Sequence, residues 1–236
     1  MDYSKNISGK YAGLMLFFFN VAYLLLLIST LMPYDLKKEI LIIAIGIMIF
    51  ISSILTFVLK VTEVDINIPN TITNCRLVLN IFIFTCILNI ELHDSYKILL
   101  LVLLSLLLDG VDGYLSRYLN QSTEFGRVFD QEVDNFLIFI LTFSLIYNHN
   151  FSYILLCVPF YRYIFVILIR QGFISGEDLP ESLFRKSICV LTILVLALCN
   201  FYFFVESVRG LIYIIIILVS YSFMKDTIYL YRRKNV

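Results

Sequence analysis

Long apolar segments alternate with short polar stretches along most of the chain. A helix needs about 20 apolar residues to cross the hydrocarbon core of a membrane. Backbone groups in that core must be hydrogen-bonded within the segment, and the apolar runs lack the alternation of barrel strands. We therefore predict an all-α, polytopic integral membrane protein with eight transmembrane helices. The predicted spans are 11–32, 40–59, 72–91, 96–117, 127–147, 151–170, 187–205 and 209–229.

The composition supports a membrane protein and excludes a soluble globular one. Of the 236 residues, 60% are hydrophobic and 15% are charged, whereas soluble domains carry about 25% charged residues. The formal net charge is zero, so no overall basic field favours nucleic acid as a partner.

The distribution of Lys and Arg predicts the orientation in the membrane. Eight spans place both termini on one side, and short cytoplasmic loops carry an excess of basic residues. Eleven basic residues lie on the side of the termini and four on the other side. We therefore predict that both termini face the cytoplasm, which in a prokaryote places the chain in the inner membrane.

Residues 60–70, with the sequence KVTEVDINIPN, form the one compositional break in the chain. Polar and apolar residues alternate here between the second and third predicted spans. The pattern fits an interfacial amphipathic segment and a plain loop equally well.

Acidic residues interrupt the apolar pattern at the end of the fourth predicted span. An ionised Asp at the centre of a membrane helix costs about 3 kcal/mol, so its presence indicates a functional site. At 100° per residue, Asp109 and Asp112 share one helix face with Gly113, Ser116 and Arg117.

The fifth predicted span repeats this feature. Gly126, Asp130 and Asp134 recur every four residues and form one stripe of a helix. The connection between the two spans is short, so the helices are expected to pack as antiparallel neighbours. Four carboxylates should therefore converge at the cytoplasmic membrane surface, which becomes the predicted location of the active site.

Such a cluster predicts bound divalent cations. Clustered carboxylates repel one another unless cations compensate, and an all-oxygen ligand set favours a hard ion. Mg²⁺ is the leading candidate, with Mn²⁺ and Ca²⁺ as alternatives. Gly113 and Gly126 leave room for close approach, and Arg117 is suited to phosphate. The structural alternative is a buried charge network of the carboxylates with Arg76, Arg117 or Arg162.

These residues resemble the pattern DxxDGxxARx8GxxxDxxxD of the CDP-alcohol phosphatidyltransferases. The chain departs from it only at Ser116, where the family usually has Ala. A second segment is similar to the family's PNxxTxxR sequence through Pro69, Asn70, Thr73 and Arg76. The resemblance covers residues 65–236, the expected six-helix core, and leaves residues 1–64 as a preceding pair of transmembrane helices.

The resemblance implies a reaction and a set of roles. An alcohol attacks the β-phosphorus of a CDP-linked lipid, usually CDP-diacylglycerol, and CMP leaves. Two divalent cations would be held by Asp109, Asp112, Asp130 and Asp134, and Asp134 would also take the proton of the acceptor hydroxyl. The residues implied for CDP or CMP binding are Thr73, Asp112, Gly113, Arg117 and Gly126. The family also implies a homodimer.

Basic residues toward the cytoplasmic side form a candidate acceptor site. Arg162 and Arg170 share roughly one face of the sixth span, and Arg185 and Lys186 precede the seventh. They suit an anionic acceptor such as glycerol 3-phosphate or an inositol phosphate. The alternative for Arg170, Arg185 and Lys186 is the positive-inside rule and contact with anionic lipid headgroups, whereas Arg162, deeper in its span, needs a partner such as Asp134 or bound phosphate. The sequence does not identify the acceptor, and serine is another candidate.

Two other functional classes remain open from the residues alone. A membrane prenyltransferase also binds a diphosphate with Mg²⁺, but it would show two Asp-rich motifs farther apart in the chain. A cation transporter would typically show inverted repeats, and none is visible. A family member without activity is a third alternative, although the motif is intact.

Overall fold

The computed structural model of the chain describes residues 19–25, 28–29, 37–62, 67–89, 95–175, 183–200 and 205–234. All regular elements in these ranges are helices, which confirms the all-α prediction. They are α1 (Lys38–Thr62), α2 (Ile68–Leu88), α3 (Ser95–Tyr118), α4 (Glu124–His149), a short 3-10 helix (Tyr153–Leu156), α5 (Cys157–Arg170), α6 (Leu183–Cys199) and α7 (Val205–Lys234). Residues 19–25 are helical as well.

Several of these helices are suited to a membrane. Within the described ranges, five stretches are long and apolar enough to cross one: Lys38–Leu59, Ile68–Leu88, Tyr96–Tyr118, Tyr153–Arg170 and Gly210–Lys234. An integral membrane protein is therefore supported, whereas the count of eight spans is not confirmed.

Three predicted spans are not among these five stretches, each for a different reason. Span 11–32 lies mostly outside the described residues. Span 127–147 is helical, but the first turns of α4 carry several charged side chains. Helix α6 has only 17 residues, fewer than the roughly 20 that a crossing requires. The cytoplasmic orientation and the division of the chain at residues 64 and 65 stay predictions.

The compositional break at residues 60–70 proves to be partly helical. Helix α1 continues to Thr62, and α2 already begins at Ile68. Residues 63–66 lie outside the described part, so the choice between an interfacial segment and a loop is open there.

The chain packs as two compact units, Met1–Val133 and Asp134–Val236. In the first unit, α2 packs against both α1 and α3. The core of this unit is formed by apolar side chains of α2 that are almost completely buried: Val78, Leu79, Ile81, Phe82 and Ile83. Helix α2 is therefore the element around which the first unit is built.

Local sequence explains where α2 begins and ends. The side chain of Asn67 accepts a hydrogen bond of 3.0 Å from the Asn70 N–H, which satisfies one of the free donors of the first turn. Pro69 occupies the first turn, where its missing N–H costs nothing. At the other end the Asn89 N–H donates to the Thr85 carbonyl at 3.3 Å. The start of α2, and with it the position of its polar side chains, is thus fixed by its own residues.

The second unit is held by contacts of α7 with α5 and α6. The rings of Tyr161 and Phe223 stack at 5.0 Å, and the Tyr161 hydroxyl lies 2.7 Å from the Ser220 hydroxyl. The Asn200 amide donates to the Leu141 carbonyl at 3.3 Å, which ties the end of α6 to α4. Polar contacts thus connect the helices of this unit in addition to apolar packing.

Candidate metal centre

Three of the predicted carboxylates meet around one buried arginine. The Arg76 Nη1 atom lies 2.8 Å from Asp109 Oδ1, 3.2 Å from Asp112 Oδ2 and 2.5 Å from Asp130 Oδ1. One carboxylate oxygen from each aspartate lies within 4.8 Å of the others. We call Asp109, Asp112 and Asp130 the acidic cluster.

One side of the acidic cluster is buried and the other side is exposed. The Arg76 side chain has no exposed surface and that of Asp112 is 5% exposed, whereas Asp109 is 30% and Asp130 37% exposed. A ligand can therefore reach Asp109 and Asp130 directly, and Asp112 forms the inner wall together with Arg76.

Helix α2 supplies the side chains that hold Asp112. Thr73 lies one turn before Arg76, so both project to the same side of α2. The Thr73 hydroxyl donates to Asp112 Oδ2 at 2.9 Å and lies 3.1 Å from the Pro69 carbonyl. Asp112 therefore receives two side-chain hydrogen bonds from α2, one from Thr73 and one from Arg76.

The connection between α3 and α4 brings the aspartates of the two helices together. Helix α3 ends where Asn120 adopts a positive φ of 51°, a conformation that Asn tolerates better than most residues. The Gln121 N–H then donates to the Ser116 carbonyl at 3.1 Å. The Gln121 carbonyl accepts from the Asn67 amide at 2.7 Å, so this connection is anchored to the start of α2.

Helix α4 begins with its own cap. The Thr123 hydroxyl accepts from the Gly126 N–H at 3.0 Å. In the same turn the Arg127 guanidinium donates to Glu124 Oε2 at 3.0 Å, and this hydrogen bond lowers the pKa of the Glu124 carboxyl. Arg127 is therefore engaged by a local partner.

The two predicted glycines have different surroundings. A Cβ atom on Gly126 would lie 2.6 Å from Asn70 Oδ1 and 3.0 Å from Thr123 Oγ1, so α4 approaches α2 closely because this position has no side chain. A Cβ atom on Gly113 would meet only the Arg117 Nη2 atom, at 4.0 Å. Gly126 is thus needed for helix packing, while Gly113 leaves space beside an exposed Arg117.

The charge balance of the cluster fits a divalent cation. Three carboxylates against one guanidinium leave two negative charges uncompensated. All donor atoms are carboxylate oxygens, the ligands that Mg²⁺ and Ca²⁺ prefer. The residues present therefore fit a hard divalent metal ion, although they do not identify which one.

The fourth predicted ligand belongs to the other unit. Asp134 lies one turn after Asp130 on α4, at the first position of the second unit. Its place in the site, like its catalytic role, stays a prediction.

The four basic residues predicted for the acceptor also belong to the second unit. Arg162 and Arg170 lie on α5, and Arg185 and Lys186 lie on α6. Arg185 Nη1 lies 3.4 Å from Asp226 Oδ2 on α7, so this side chain has a structural partner. Arg170 and Lys186 are exposed and Arg162 is half-buried.

Sequence reasoning assigned two residues of α2 incompletely. Arg76 matched a family position but received no role in the site, although an arginine inside an apolar span is itself a signal for acidic partners. Thr73 was predicted to bind CMP, which stays a prediction, and the structure adds a contact of its hydroxyl with Asp112. The alternative of a buried charge network is realised for Arg76, whose partners are members of the predicted metal site.

Carboxylate clusters that can hold divalent cations are common in enzymes that act on phosphate esters. Residues 66–223 match the CDP-alcohol phosphatidyltransferase family, so the chain belongs to this family and is a phosphotransferase of phospholipid biosynthesis. This membership gives no support to the prenyltransferase or the transporter.

Individual relatives carry more specific names. The chain is 29% identical over 167 residues to the CDP-diacylglycerol--glycerol-3-phosphate 3-phosphatidyltransferase of Aquifex aeolicus, over 66% of this chain and 92% of the relative. It is 33% identical over 115 residues to a protein of the same name from Rickettsia prowazekii, over 48% of this chain and 59% of the relative. No solved structure matches the chain.

Proposed function

We propose that this protein transfers a phosphatidyl group from CDP-diacylglycerol to glycerol 3-phosphate and releases CMP. The observation that carries the reaction class is the acidic cluster around Arg76, formed by family positions of three helices. The choice of glycerol 3-phosphate is supported by the names of the relatives from Aquifex aeolicus and Rickettsia prowazekii.

The metal ligands are proposed to be Asp109, Asp112, Asp130 and Asp134, holding two divalent cations. When bound, the cations polarise the phosphoryl group and stabilise the entering and leaving oxygens. Asp109 and Asp130 are accessible and face the substrate, whereas Asp112 is held from behind by Thr73 and Arg76.

The proton of the acceptor hydroxyl is proposed to pass to Asp134. As the acceptor oxygen forms its bond to the β-phosphorus, the bond from that phosphorus to the CMP oxygen breaks, and CMP leaves with the electron pair. A carboxylate within hydrogen-bond reach of the hydroxyl is suited to this role.

The cytidine nucleotide is proposed to bind along the exposed side of α3. Gly113 has open space where another residue would carry a side chain, and the Arg117 guanidinium lies beside it. A planar guanidinium can bind phosphate oxygens through two parallel hydrogen bonds. Thr73 and Gly126 are proposed to contribute to the nucleotide site as well, Thr73 while orienting Asp112 and Gly126 by allowing α4 to pack close to α2.

The acceptor phosphate is proposed to bind Arg162, Arg170 and Lys186. Arg185 contributes less because Asp226 already compensates its charge. The predicted cytoplasmic orientation is consistent with this arrangement, since CMP and glycerol 3-phosphate are water-soluble and the acyl chains stay in lipid. The proposed homodimer rests on family membership.

The test is release of CMP from CDP-diacylglycerol by the purified protein with Mg²⁺. Glycerol 3-phosphate, an inositol phosphate and serine are supplied in parallel. We expect release with glycerol 3-phosphate and a loss on the order of 100-fold or more in Asp130→Asn, because one electrostatic stabiliser of the transition state is removed. Glu132→Gln is the matched control, since it removes a carboxylate of the same helix at a variable position of the motif.

Two outcomes would contradict the proposal in different ways. Release with another alcohol alone would overturn the acceptor and keep the reaction class. Equal activity of Asp130→Asn and the wild type would overturn the assignment of the metal centre.

A further inference from the structure

A buried polar network lies in the first unit and does not include the aspartates of the acidic cluster. Asn20, Ser52 and Asn74 have relative exposures of 0%, 1% and 1%. The Asn20 amide donates to the Ser52 hydroxyl at 3.2 Å and to the Asn74 side-chain oxygen at 3.1 Å, and the Asn74 amide donates back to the Asn20 side-chain oxygen. We call these three residues the polar network.

The network joins three separate helical segments. Asn20 lies in the segment 19–25, Ser52 on α1 and Asn74 on α2. Both polar atoms of each Asn side chain are hydrogen-bonded within the network, and a fully satisfied buried network of this kind specifies one arrangement of its helices. Two of the three residues precede residue 66, where the family match begins.

The polar network contacts α2 next to the residues that hold the acidic cluster. Asn74 directly follows Thr73, which donates to Asp112, and lies two residues before Arg76. Successive residues of a helix point about 100° apart, so Asn74 faces away from the Thr73 side. A rotation of α2 that broke the network would also turn Thr73 and Arg76 away from their carboxylate partners.

We propose that the polar network positions α2 so that Thr73 and Arg76 hold Asp112 in the geometry for binding a divalent cation. The helices preceding the family region thereby act on the metal centre through α2. Asn20, Ser52 and Asn74 are positioning residues. The inference rests on the proposed metal centre, while it is independent of which alcohol accepts the phosphatidyl group.

The alternative is that the network only attaches the first helices to the unit. The double variant Asn20→Leu/Asn74→Leu separates the two roles. Replacing both partners of a hydrogen bond by apolar groups can be nearly neutral for stability, so attachment is retained, but the fixed rotation of α2 is lost. Positioning therefore predicts weaker cation binding at nearly unchanged melting temperature.

The experiment measures Mn²⁺ binding to the purified, substrate-free protein by electron paramagnetic resonance, together with the melting temperature. We expect the Mn²⁺ dissociation constant of the double variant to rise several-fold, up to about tenfold, the lower limit for residues that contact a metal ligand directly. An unchanged dissociation constant would overturn the proposal.

Two adjacent serines on α1 provide a milder test should the double variant not fold. Ser52→Ala removes the network hydroxyl and is expected to weaken Mn²⁺ binding. Ser53→Ala is the matched control, because Ser53 is exposed and donates to the Ile49 carbonyl of its own helix at 2.7 Å. Equal dissociation constants for the two serine variants would reject the positioning role.

The same measurement separates failure of this inference from failure of the proposed function. A wild-type protein that binds no Mn²⁺ would overturn the metal centre, and the positioning role with it. A wild-type protein that binds Mn²⁺ without releasing CMP would overturn the transfer reaction alone.

Discussion

Helices α2 and α7 have membrane-length segments of the same mean hydropathy but opposite surroundings. In α2, 67% of the apolar window is buried inside the protein, whereas in α7 the buried share is 11%. The difference follows from the polar residues. Those of α2 lie in its N-terminal two thirds and are buried: Asn70, Thr73, Asn74, Arg76 and Asn80. The charged residues of α7 concentrate in its last three turns.

The comparison shows what determines which helix of a membrane protein is enclosed by the others. Lipid satisfies an apolar side chain as well as the protein interior does, but it offers no partner to an amide or a guanidinium. Asn80 illustrates this, since it donates to the Val133 carbonyl at 3.2 Å and accepts from the Ser105 hydroxyl at 2.9 Å. Average hydropathy therefore indicates that a helix can cross, and the position of its polar residues indicates whether it is enclosed.

The largest effect is expected at Arg76. Arg76→Leu leaves the acidic cluster without its internal cation, and breaking a buried ion pair costs about 3–5 kcal/mol. Arg233→Leu on α7 should change the free energy of unfolding by about 1 kcal/mol or less, because Arg233 is exposed and stacks over the Tyr229 ring at the protein surface. Thermal unfolding in detergent measures both variants.

Added Mg²⁺ sharpens this prediction. Because the acidic cluster remains in Arg76→Leu, millimolar Mg²⁺ should recover part of its lost melting temperature. Equal melting temperatures of Arg76→Leu and Arg233→Leu would contradict the expected difference between α2 and α7.

An intermediate effect is expected at Gly126, where α4 approaches α2. Gly126→Ala places a Cβ atom 2.6 Å from Asn70 Oδ1, and such overpacking costs about 1–3 kcal/mol. Gly113→Ala has no comparable contact and should gain up to about 1 kcal/mol of stability from its better helix propensity. Melting temperatures distinguish the two variants.

Enzyme kinetics of Gly113→Ala test the proposed nucleotide site beside this residue. If the nucleotide binds beside this residue, Gly113→Ala should raise the KM for CDP-diacylglycerol although the fold is intact. A destabilised Gly113→Ala with normal KM would contradict the assignment of the two glycines.

The smallest effect is expected on the outer face of α7. Ile217 is 66% exposed, so Ile217→Ala should change the free energy of unfolding by no more than about 0.5 kcal/mol. A loss of about 2–5 kcal/mol, typical of a buried isoleucine, would show that another copy of the chain covers this face. That result would change the comparison and support the predicted homodimer.

The sequence predicted those features that depend on local spacing. The helical class, the shared face of Asp109 and Asp112, and the recurrence of Gly126 and Asp130 all follow from the helical period. The convergence of three carboxylates followed from the shortness of one connection.

Features that depend on distant contacts were not predictable in the same way. Arg76 is 54 residues from Asp130 and Asn20 is 54 residues from Asn74, and no local period relates such pairs. The count of eight spans is not confirmed, because span 11–32 lies mostly outside the described residues and apolar length does not reveal where a helix such as α6 ends.

The burial of Arg76 bears on how the protein is made. During synthesis α2 is completed before α3 and α4, so Arg76 is synthesised before any of its acidic partners. An arginine near the centre of a membrane helix adds about 2.5–3.5 kcal/mol to the free energy of insertion, which the isoleucines and leucines of α2 must offset. Its first acidic partners, Asp109 and Asp112, arrive with α3, and Asp130 follows on α4, 54 residues after Arg76. The insertion of α2 is thus completed by the later helices α3 and α4, which carry the acidic cluster.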